Sequence, residues 1–97
     1  MSYQIYDTEG YVGDLASNKG LMDLAEYIEK HPDTDELEIL FREGSALKTE
    51  ELLVEIELLG IPKDQDIADT LANLKELIGK ASEAIIITQE AETEEEE

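Results

Sequence analysis

The chain has 97 residues, of which 26 are Asp or Glu and seven are Lys or Arg, for a formal charge of −19, yet 41% of it is apolar. That length fits one small domain and that apolar share fits a packed core, while the charge argues against binding nucleic-acid phosphate or an anionic membrane surface, since both rely on Lys and Arg. The lack of cysteine excludes disulfides, thiolate metal sites and cysteine nucleophiles.

The start, from Met1 to Asp7, has neither the basic region nor the apolar core of a signal peptide. No stretch approaches the roughly 20 apolar residues of a membrane span. Cytoplasmic residence is the expectation. Tyr3, Gln4, Ile5 and Tyr6, then Tyr11 and Val12, favour strands, and the intervening Asp7 and Gly10 are turn formers. An N-terminal β-hairpin is predicted, with Tyr3, Ile5 and Val12 on the inner face and Gly13 and Asp14 as the strand exit. Ser17 or Asn18 then caps a helix over 19–30, whose Leu21, Leu24, Ala25 and Ile28 form one apolar stripe. Pro32 ends it.

Residues 35–44 fit two templates. Leu37, Ile39 and Phe41 alternate as in a strand, whereas Leu37, Leu40 and Phe41 share a helical face. Asp35 and Glu38 have capping-box spacing and Gly44 sits where a left-handed cap belongs, so a short helix is predicted with a strand as the alternative. Thr49 caps the next helix, which turns Leu52, Ile56 and Leu59 inward, flanked by Leu53, and ends at Gly60 and Pro62. Asp64 or Asp66 opens the last helix, with Ile67, Leu71, Leu74 and Ile78 inward and Gly79 near its end. Residues 84–88 are a β-branched run, apolar on both faces, expected to pair with the hairpin. The reading is an α+β fold in the order ββααααβ: a three-stranded sheet of hairpin plus C-terminal strand, packed by three to four helices over 1–89. Residues 90–97 hold six Glu and form a predicted disordered acidic tail; without those six, residues 1–89 still carry −13.

No cofactor or metal motif is present. His31, the only histidine, lacks the Cys or second His of a transition-metal site and suits a helix end. Asp64, Asp66 and Asp69, like Asp33, Asp35 and Glu38, open helices and lack the spacing of a calcium loop, so capping is the expected role. Gly10 to Gly13 is not followed by the Gly-Lys-Ser of a phosphate loop; Lys19 and Gly20 offer at most an anion contact at a helix start.

What remains is an interaction surface. Tyr6 and Tyr11 on the exposed side of the hairpin suit partner contact, although core packing explains them equally well. Glu50, Glu51, Glu55 and Glu57 offer carboxylates to a basic protein, or mimic nucleic acid and inhibit a protein that binds it. The alternative is that the acids only keep a small protein soluble. The expected function is therefore a non-enzymatic module binding a protein with a basic surface.

The stretch from Gly10 to Leu21, Gly-Tyr-Val-Gly-Asp-Leu-Ala-Ser-Asn-Lys-Gly-Leu, and the closing Ile85, Ile86, Ile87 and Thr88 resemble small acidic proteins that accompany head-assembly genes in tailed phages and prophages. The resemblance implies an accessory or assembly role and carries no functional residues with it.

Overall fold

The computed structural model describes residues 2–31 and 33–89, so Pro32 and the expected tail over 90–97 lie outside the described residues. These residues form β1 (Ser2–Asp7), β2 (Gly10–Ser17), α1 (Asn18–Glu29), α2 (Asp35–Glu43), β3 (Ser45–Leu47), α3 (Glu50–Leu58), α4 (Gln65–Lys80) and β4 (Ala84–Gln89). The class is α+β, as the periodicities indicate. The sheet, however, has four strands, all antiparallel, in the order β2-β1-β4-β3. The three-stranded expectation misses β3, whose three residues are too few to show a period. Gly44 makes this strand: its left-handed backbone (φ 84°) closes α2 and turns the chain alongside β4, where Ile87 N–H donates to Gly44 O at 2.8 Å.

β4 lies between β1 and β3, pairing Ile5 with Ile87 and Ala46 with Ile85. Ile5 and Ile85 are fully buried beneath the helices. β2 does not exit at Gly13 and Asp14 but continues to Ser17. Two register shifts against β1 leave Val12 and Leu15 as the extra residues of bulges. Leu15 is buried and Val12 packs against the core; Tyr3, expected inside, is only half-buried and donates from its hydroxyl to Asn18 Oδ1 at 3.2 Å. The carbonyls displaced at the second bulge are not orphaned, because Asn73 of α4 donates to Asp14 O and Leu15 O, both at 2.7 Å. Gly13 stays in the strand for a packing reason: a Cβ there would collide with Leu77 Cδ2 of α4.

Asp7 fastens the two ends of the domain together. Its Oδ1 accepts from Glu9 N–H at 2.7 Å, bracing the hairpin turn, and its Oδ2 accepts from Ser82 N–H at 3.0 Å, just before β4. The Glu9 and Ser82 N–H groups favour the ionised carboxylate and hold its pKa below the ordinary 3.8.

The helix ends are closed partly by local caps and partly by distant ones. Ser17, Thr49 and Asp64 accept N–H bonds from the first turns of α1, α3 and α4. α2 differs from the capping box expected at Asp35. Its N-cap is Thr34, which makes no side-chain cap, because the buried Thr34 hydroxyl turns back to α1 and donates to Ile28 O and His31 O. The carboxylate of Glu55 on α3 takes over, accepting from Glu36 N–H at 3.1 Å and Leu37 N–H at 2.9 Å. At the other end of the fold, Lys48 Nζ donates to Ala81 O at 2.8 Å and Gly79 O at 3.3 Å, closing the C-terminus of α4.

Candidate partner-binding surface

α3 has more apolar residues than its packing needs. Leu52 and Ile56, with Leu59 just beyond, fill the core side. At about 100° per residue, Val54 and Leu58 point the opposite way. They are 55% and 51% exposed, Leu53 at the flank is also exposed, and Ile61 beyond Gly60 is 89% exposed. Because α3 packs mainly on α2, nothing among the described residues covers this outer side. An isolated exposed Leu is ordinary, but a ridge of them on one short helix is not.

Exposed carboxylates border the ridge. Glu50 and Glu51 lie in the first turn of α3, and Glu57 lies beside Leu58. Glu57 accepts an ion pair from Lys75 of α4 at 3.3 Å. Lys75 also lines, with Ile61, Pro62, Ala68 and Ala72, an open groove of about 270 Å³. Of the four glutamates singled out from sequence, the structure therefore brings Glu50, Glu51 and Glu57 to one surface, while both oxygens of Glu55 are spent on the start of α2.

Tyr6 and Tyr11 do meet, directly opposite each other on β1 and β2, with ring centroids 5.6 Å apart and planes at 73°. They do not belong to the α3 surface. Tyr6 alternates with the buried Ile5, so the pair stands on the sheet face turned away from the helices, in a cross-strand row with Ile86. The hydroxyl of Tyr11 donates to Asp14 Oδ1 at 2.8 Å.

The remaining polar groups act locally. Asp64 caps α4, accepting from Asp66 N–H at 2.8 Å and Ile67 N–H at 3.2 Å, and Asp69 accepts from Gln65 Nε2 at 2.8 Å. Lys19 reaches Asp23 at 2.8 Å, and that hydrogen bond raises its pKa; Asp64 and Asp66 add to the acidic field around it, which disfavours an anion there. His31 stacks obliquely near Tyr27, with centroids 6.4 Å apart. Among the described residues no three His, Cys, Asp or Glu side chains are grouped to hold a metal ion, and no helix is long and apolar enough to cross a membrane.

Comparison with protein-family models, with curated proteins and with solved structures gives no match. Sequence reasoning missed Val54, Leu58 and Ile61. The signal was present: once Leu52, Ile56 and Leu59 are assigned inward, the helical period leaves Val54 and Leu58 with no core to enter.

Proposed function

We propose that the chain is a non-enzymatic protein-interaction module that binds a partner with a basic surface through the outer side of α3. The observation that carries this reading is the exposed pair Val54 and Leu58 on one side of α3, with the exposed Ile61 just beyond the helix and Glu50, Glu51 and Glu57 on the same helix. Apolar contact supplies affinity at the centre of such a surface, and carboxylates at its rim steer and orient a cationic partner. Mimicry of nucleic acid is the weaker reading, because α3 interleaves its acids with exposed apolar residues where a phosphate-like surface calls for charge alone. The accessory or assembly role implied by the resemblance is compatible with a small binding module of this kind.

The reading is tested on a complex with a basic protein formed at low salt. The association rate should fall as ionic strength rises, and Leu58→Ser should weaken the complex about tenfold without changing the fold, as loss of a central contact does. A complex indifferent to Leu58→Ser and to Glu57→Gln would end it.

A further inference from the structure

Resting on the reading of α3 as the binding face, we infer that its occupant is a basic amphipathic helix, lying along α3 and setting one apolar side chain into the groove between Ile61 and α4. The backbone argues against an added β-strand. α3 is a helix and presents no open edge of N–H and C=O groups, so a strand laid on this face would find no backbone partners there. A helix satisfies its own backbone and packs side chains between ridges, and Val54 and Leu58, four residues apart, form such a ridge.

The groove supplies the anchor. Ala68 and Ala72 are small, and the roughly 270 Å³ beside Ile61 and Pro62 has room for a Leu or Phe side chain. Charge sets the partner's flanks. Glu50, Glu51 and Glu57 stand on α3 and Asp69 lines the groove, against Lys75, which is already paired with Glu57, and Lys63, which follows Pro62 in the chain. A second copy of this chain would bring carboxylates against carboxylates, whereas a helix with Lys or Arg beside its apolar stripe would neutralise them.

Three synthetic peptides test this against the full chain by fluorescence anisotropy: a Lys/Leu peptide with Leu at helical spacing, the same composition with Leu at alternate positions, and the first with Ser for every Leu. The helical peptide should bind at least about tenfold more tightly than either other, and Leu58→Ser and the groove-filling Ala72→Phe should each weaken it about tenfold with circular dichroism unchanged. Equal binding of the helical and alternating peptides, both weakened by Leu58→Ser, would overturn the helical occupant and leave the α3 reading standing. An effect of Leu58→Ser without one of Ala72→Phe would overturn the anchor. If all three peptides bind alike and neither substitution matters, the contact is charge alone and both readings fall. A dimer in sedimentation that Leu58→Ser dissolves would make the occupant a second copy and overturn the inference.

Discussion

Asp7 stabilises the fold more when it is ionised than when it is protonated. Its pKa in the folded chain lies below the ordinary 3.8, so the contribution is complete above 3.8 and is lost as pH falls through the depressed value. Asp7→Asn should therefore lower the urea midpoint at neutral pH, and the gap from the parent chain should narrow well below pH 3.8; an unchanging gap would show that the Glu9 and Ser82 bonds contribute equally to both protonation states. Gly13 is constrained by contact. Gly13→Ala drives its new methyl into Leu77 and should cost about 1–3 kcal/mol, the usual range for overpacking. In a double-mutant cycle with Leu77→Ala the two losses should add to less than their sum, because the truncated side chain vacates the space that the methyl needs. In sequence, Gly13 and Asp14 look like a strand exit, since nothing in the local pattern reports that a helix crosses at that point.

At the scale of elements, α2 shows how a local signal is replaced by a tertiary one. Asp35 and Glu38 have the spacing of a capping box, yet the N–H groups of Glu36 and Leu37 are satisfied by Glu55 from α3. Glu55→Ala should cost about 1–2 kcal/mol, as loss of a cap does, with the loss read in the urea transition followed by circular dichroism. Asp35→Ala should cost far less, because no side-chain cap depends on it. The existence of α1, α3 and α4 was legible, with Ser17, Thr49 and Asp64 at the ends they mark and the apolar stripes facing the core, whereas α2 also fits a strand and Gly44 tips the reading to a helix. The α3 surface was half legible. Its acids stand out in composition, but the ridge between them emerges only when the apolar residues left over from the core are followed to the outside.

For the whole molecule, charge acts in two opposite directions. Residues 2–31 and 33–89 hold few ion pairs, with Lys19–Asp23 and Lys75–Glu57 the closer ones, so most of the acidic surplus repels itself. Raising ionic strength shortens the screening length from about 30 Å at 0.01 M to about 8 Å at 0.15 M, and the melting temperature of the free chain should rise over that range. The same change should weaken a complex with a basic partner. Opposite slopes for the two measurements would separate repulsion within the fold from attraction across the interface; a melting temperature that falls with salt would show that the surplus is balanced internally.

Sequence by itself determined the class, the helices α1, α3 and α4 and the acidic character, because periodicity and caps are properties of neighbouring residues and net charge is one of composition. Only the tertiary structure decided that β3 completes the sheet, that Glu55 belongs to α2, that the Tyr6–Tyr11 pair and the α3 acids lie on different layers, and that a groove opens beside Ile61. Each of these depends on which segments the folded chain brings together, and short-range pattern does not encode that distance.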